Sequence, residues 1–181
     1  QARQWLAEAG YPDGKGFPEM TLMFYTHKDT QKMAEYLQQQ WKENLGIEVK
    51  LANQEWKVFL QTVSTDAPQA FALGWAADYP DENNWVLEVF HPTKGANAPQ
   101  WSPEDPAAKR FMEVTEAAAA EANPARRKEL YFEAEKILCE DEAIIAPGCH
   151  FGDMYLTRPY VERVYPVLGM LHLEQWKVKA H

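Results

Sequence analysis

The chain has 181 residues, 46% of them hydrophobic and 25% charged, with a formal net charge of −9 and a pI near 5.1. Such a composition supports a packed core and opposes binding to nucleic acid or anionic lipid, both of which need clustered Lys and Arg. No apolar run nears the ~18 residues that cross a bilayer, and Gln1-Ala2-Arg3-Gln4-Trp5 carries neither an initiator Met nor a signal-peptide core, so the chain is expected to be cut from something longer.

In chain order, Ala2 to Gly10 reads as the tail of a helix stopped by Gly10, followed by a turn-rich stretch from Tyr11 to Pro18 and a short β-favouring run, Thr21 to Tyr25. Met33, Leu37, Trp41 and Leu45 recur every four residues before Gly46, which predicts an amphipathic helix with a glycine stop. Ile47, Val49 and Leu51 alternate with charges and predict a half-buried strand. Val58, Phe59, Leu60 and Val63 after Trp56 suggest a short helix, and the apolar run Ala70 to Trp75 predicts a buried strand. A polar loop, Asp78 to Asn84, leads into Trp85 to Phe90. Asp105-Pro106 and Asn123-Pro124 each set a capping side chain before a proline suited to a first helical position, and the second of these helices is expected to run to about Cys139. Ala143-Ile144-Ile145-Ala146 predicts the last strand of the sheet, broken by Pro147-Gly148, and beyond Phe151 only short extended pieces follow. Strands alternating with helices place the chain in the α/β class with a sheet at least partly parallel. Cys139 and Cys149 are expected to be free thiols, since an extended segment between them, at about 3.3 Å per residue, exceeds the ~7 Å bridging limit.

Signatures of common enzymes are missing. Neither serine, Ser64 or Ser102, sits in a Gly-x-Ser-x-Gly elbow. Gly14-Lys15-Gly16 fails as a dinucleotide loop because position 19 is Glu19 and a helix, not a strand, precedes it. His27, His91, His150, His172 and His181 lack the close pairing of zinc ligands. Asp78, Asp81 and Glu82 beside Trp75 and Tyr79 leave two readings open on composition alone: a carboxylate pair acting on a glycoside, or a solvated acidic loop capping the next helix.

The stretch from Asn53-Gln54-Glu55-Trp56 to Leu60, followed by Gly74-Trp75-Ala76-Ala77-Asp78-Tyr79-Pro80-Asp81, resembles the substrate-binding proteins of ABC importers of the oligopeptide and dipeptide type. Leu6 to Gly14, Leu45 to Val49, and Arg127 to Leu138 resemble the same family in the same order, so the likeness covers nearly the whole chain. It implies a C-terminal lobe of a much longer, two-lobed clam-shell protein: an α/β lobe with a mixed sheet flanked by helices over residues 1–146, and a hinge strand and tail over 147–181 that return to the other lobe. It also implies that Asp78 holds a peptide's α-ammonium, that the backbone beside Gly74 and Ala76 pairs with the peptide, and that Trp75 and Tyr79 shape the pocket. Trp56 becomes a wall for a ligand side chain, against the alternative of a core tryptophan, and His150 and Phe151 lie by the hinge. Peptide, the missing lobe and a membrane permease are the implied partners, in an extracytoplasmic setting, with no enzyme activity, cofactor or metal.

The sequence departs from the family at Val63 and Ala72, where some peptide binders carry arginines, and at Cys149-His150-Phe151, which replace hinge tyrosines. Ligand length and class therefore stay open, with a carbohydrate-binding relative, a carbohydrate-active fragment using Asp78 with Asp81 or Glu82, and a plain interaction module as alternatives. A lobe of this kind is expected to expose an aromatic face around Trp56, Trp75 and Phe151.

Overall fold

The computed structural model describes residues 1–150, 152, 154–165 and 172–180. Helix α1 (Ala2–Glu8) and a 3₁₀ turn (Pro12–Gly14) precede β1 (Met20–Tyr25), α2 (Lys28–Leu45), β2 (Val49–Gln54), α3 (Trp56–Thr65) and β3 (Ala70–Ala72). These elements belong to the first of two compact units, Gln1–Gly74 with Ala98–Gln100.

The strands form a parallel sheet in the order β2-β1-β3, with β1 at its centre. Successive side chains of a strand point to opposite faces. Leu22 and Phe24 thus meet Ala34, Leu37, Trp41 and Leu45 of α2 on one face, while Met23 meets Phe59 and Val63 of α3 on the other. Helices cover both faces of β1, which is why its sequence reads as a continuous apolar run. The strand expected over Ala70–Trp75 ends at Ala72 and is only half-buried. It pairs only through Leu22–Phe24 of β1, and past Ala72 that pairing ends, so the apolar residues that follow are exposed, Leu73 to 41% and Trp75 to 41%.

Gly46 ends α2 at φ +70°, with its own N–H and that of Ile47 bonded back to Lys42 and Trp41 carbonyls at 3.1 and 3.3 Å. The left-handed turn satisfies the last helical carbonyls. A Cβ on Gly46 would lie 2.4 Å from the Asp13 carbonyl oxygen, and one on Gly14 would lie 2.6 Å from the Gly46 backbone. The Pro12–Gly14 turn thus seats directly on the end of α2.

The second unit, Trp75–Asn97 with Trp101–His181, contains α4 (Glu82–Phe90), α5 (Pro106–Ala120), α6 (Pro124–Lys136), a π turn (Ile137–Asp141), β4 (Val161–Glu162), a 3₁₀ turn (Leu173–Gln175) and β5 (Lys177–Val178). Both proline-led helices start where the sequence places them: Asp105 accepts from Ala107 and Ala108 N–H, and Asn123 from Ala125 and Arg126 N–H. Their apolar stripes close a core of Phe111, Val114, Ala118, Leu130, Tyr131 and Ala134, joined by Val86 and Trp101. β4 and β5 pair antiparallel, Val161 opposite Val178. At the C-terminal end of α4, the wholly buried His91 accepts N–H bonds from Thr93 and Lys94 at Nδ1, leaving Nε2 to face Glu116 at 3.2 Å.

Ala143–Ala146 is not a strand. Ala143 takes φ +48°, Ile145 N–H bonds to the Leu138 carbonyl, and Ile144 and Ile145 pack on the helical core, so their apolar character serves a helix bundle and not a sheet. Cys139 and Cys149 are both free, and burial pushes the Cys139 thiol up. Among the described residues no helix is long and apolar enough to cross a membrane.

Candidate ligand-binding site

In open parallel sheets, ligands bind beyond the carboxyl ends of the strands, where loops spread apart. In the first unit those ends are Tyr25, Gln54 and Ala72. Trp56 follows directly as the first residue of α3, whose N-terminus is capped by Glu55 accepting from Lys57 N–H at 2.9 Å. Its indole stands edge-on to Tyr25 at 5.0 Å and stacks with Phe59 at 6.0 Å, yet remains 45% exposed. One part of the ring is packed and another faces outward, so Trp56 is not a core tryptophan. Gly74 is exposed beyond β3.

In the second unit, Trp75, Ala76 and Asp78 are exposed and Tyr79 is half-buried. The loop is organised from beneath by α4. Asn84, wholly buried, accepts from the Trp75 indole N–H at 2.8 Å and from the Asp78 backbone N–H at 3.1 Å. Its amide nitrogen donates to Asp78 Oδ2 at 3.3 Å and to Glu88 Oε2 at 2.8 Å. Tyr79 donates its hydroxyl hydrogen to Glu88 Oε1, and that bond, with an acceptor so close, holds the phenol above its usual range.

Asp81 has a different task. It caps α4 by accepting from Asn83 N–H at 2.8 Å and takes a two-pronged bond from Arg127 of α6 at 2.7 and 2.9 Å. The guanidinium holds the Asp81 carboxyl below the usual carboxylate range and is itself held protonated more firmly by that bond. Arg127 also lies over the Tyr131 ring at 4.8 Å, and Tyr131 donates to Asn83 Oδ1 at 3.0 Å. Among the described residues no ion pair is recorded for Asp78, whereas Asp81 and Glu82 both lie against Arg127.

His150 is exposed in a stretch without regular structure, and Phe151 lies outside the described residues. Sequence reasoning missed Tyr25, Asn84, Glu88 and Arg127. A signal existed for two of them: Asn84 and Glu88 stand four apart on α4 and so share a face, one turn above the other. Among the described residues no group of three or more His, Cys, Asp or Glu side chains could hold a metal ion.

Residues 1–97 match the family model described as "Bacterial extracellular solute-binding proteins, family 5 Middle". The chain belongs to that family. The periplasmic murein peptide-binding protein MppA of Escherichia coli is 33% identical over 92% of this chain and 29% of its own length. The oligopeptide-binding protein OppA of Bacillus subtilis is 31% identical over 83% of this chain and 27% of its own length. The solved structure of E. coli MppA superposes on the whole chain with a TM-score of 0.79 at 30% identity, over 34% of that structure's chain. The chain therefore spans less than a third of the curated family 5 relatives it matches, and its α/β lobe has the fold of a periplasmic binding protein.

Proposed function

We propose that this chain is a lobe of a solute-binding protein that captures peptides outside the cytoplasm and delivers them to the membrane permease of an ABC importer. In this reading residues 1–146 form the ligand-gripping lobe, and 147–181 supply a hinge strand and a tail returning to the second lobe. The observation that carries it is electrostatic. Asp81 and Glu82 share the Arg127 cation, while Asp78, exposed in the same loop, has no recorded ion pair among the described residues. An unmatched carboxylate beside aromatic surface suits a ligand ammonium, the feature every peptide with a free N-terminus shares.

Trp75 and Tyr79 flank that carboxylate, Trp56 offers a flat wall for a side chain, and the exposed backbone at Gly74 and Ala76 is free to pair with an extended ligand. His150 and Phe151 belong to the hinge side of this reading. Relatives named for murein peptides and oligopeptides support peptide over sugar as the ligand class. Glycoside cleavage fits poorly, because its acid needs a raised pKa and Asp81 is shifted the other way by Arg127.

Calorimetry on the full-length protein tests the assignment. Asp78→Asn keeps the shape and removes the charge, and is expected to weaken a free-amino tetra-alanine by about 2–5 kcal/mol. An uncharged ligand would lose only about 1 kcal/mol from an altered hydrogen bond. Equal wild-type affinity for tetra-alanine and its N-acetylated twin, with no cost from the substitution, would sink the ammonium reading.

A further inference from the structure

Asn84 is buried completely, yet it touches the two exposed groups of its loop that carry the proposed recognition. Its amide is saturated: two acceptor positions on Oδ1 take the Trp75 indole and the Asp78 backbone N–H, and two hydrogens on Nδ2 go to Asp78 Oδ2 and Glu88 Oε2. The indole and the backbone N–H can only donate, and the two carboxylates, when ionised, can only accept, so the amide has one workable orientation. Glu88 is fixed in turn by Tyr79 and, at 3.4 Å, by Asn83. A fully satisfied buried network of this kind holds a single geometry.

We propose that Asn84 is the positioning residue of the ammonium site, setting the direction of the Asp78 carboxylate and the lie of the Trp75 indole so that both meet a protonated amine without rearrangement. The inference rests on the reading of Asp78 given above. Asp78 is an exposed side chain that, left alone, samples several rotamers and loses that freedom on binding. With Oδ2 held by Asn84, part of that loss is incurred on folding, and among the described residues no hydrogen bond is recorded to Oδ1, which is left for the ligand. Asn84 itself has no capacity left to touch a ligand, which separates its role from that of Asp78.

Holding one rotamer-rich side chain in place is worth about 2- to 10-fold in affinity. The experiment is calorimetry on the full-length protein with tetra-alanine and N-acetyl-tetra-alanine, comparing wild type, Asn84→Ala, Asn84→Asp and Asp78→Asn, each checked for folding by circular dichroism. Asn84→Asp keeps the volume and the Oδ1 acceptor but turns the donor toward Asp78 and Glu88 into a third acceptor, so it decides the matter even where the alanine variant does not fold. The expected result is a preference for the free amine that falls about 2- to 10-fold in the Asn84 variants, with affinity for the acetylated peptide nearly unchanged. Three results overturn the proposal. Equal weakening of both peptides makes Asn84 a packing residue only. A preference that survives both Asn84 variants but disappears in Asp78→Asn leaves the anchor standing and removes its positioning. No preference in the wild type removes the anchor, and this inference with it.

Discussion

Two tryptophans show the difference between the units. Trp56 is held by rings: Tyr25 edge-on, Phe59 stacked, both non-directional contacts that leave the indole room to shift. Trp75 is held by one directed bond from its indole N–H to a buried amide that is itself fully committed. Apolar support yields a surface that adapts to different side chains, and polar support yields a fixed direction. In the peptide-gripping reading proposed above, the first serves what varies between ligands and the second what does not.

The largest effect that tests this contrast comes from Phe59, which is fully buried beneath both Trp56 and the sheet. Phe59→Ala is expected to cost about 3–5 kcal/mol in denaturant unfolding of the full-length protein. A loss below about 1 kcal/mol would mean that Phe59 is not the support of the ring cluster and that Trp56 is not held by rings.

That contrast also explains what could be read from the sequence. Ring support follows from apolar periodicity, so α2 and α3 were legible from Met33, Leu37, Trp41, Phe59 and Val63, and the caps at Asp105 and Asn123 from local chemistry alone. Asn84 was not, because an Asn after Asp-Glu-Asn reads as solvated loop, whereas it is wholly buried and bonded to Trp75, Asp78 and Glu88, partners that no local propensity announces. Apolar runs overstate the sheet at two places for one reason: β3 stops at Ala72 because Leu73 and Trp75 are apolar yet exposed, and Ala143–Ala146 forms no strand because Ile144 and Ile145 are apolar for a helical neighbour.

A middle-sized effect tests the polar support of the second unit by pH. Burial lowers the His91 pKa against the weaker pull of Glu116, so the folded state favours neutral imidazole. Its contribution is complete above the ordinary value of 6.5 and is lost as pH falls through the depressed one. Asp81, also depressed, adds stability that is present above 3.8 and lost on further acidification. Stability of the full-length protein is expected to decline in two stages on the acid side. His91→Gln should flatten the first. Arg127→Met should weaken the second and cost about 1–3 kcal/mol near neutrality, toward the low end because the pair is partly exposed. An acid limb unchanged by either substitution would place the sensitivity elsewhere.

The smallest effect is expected at Trp56 itself. With 45% of the residue already exposed, Trp56→Ala should change unfolding free energy by no more than about 1–2 kcal/mol, while altering which side chains a bound peptide tolerates. A stability loss matching that of Phe59→Ala would make Trp56 part of the core and rule out the proposed role as a wall.

The contact between Gly14 and Gly46 has a genetic consequence. The missing Cβ of each lets backbone touch backbone, Gly46 against the Asp13 carbonyl and Gly14 against Leu45 and Gly46, and both hold positive φ. Most packing faults can be relieved by trimming a neighbour, because the neighbour has a side chain to trim. Here neither partner can be made smaller. A suppressor of damage at Gly14 or Gly46 must therefore act by moving the Pro12–Gly14 turn away from the end of α2, through a change in chain length or path, and not through a second substitution at the contact.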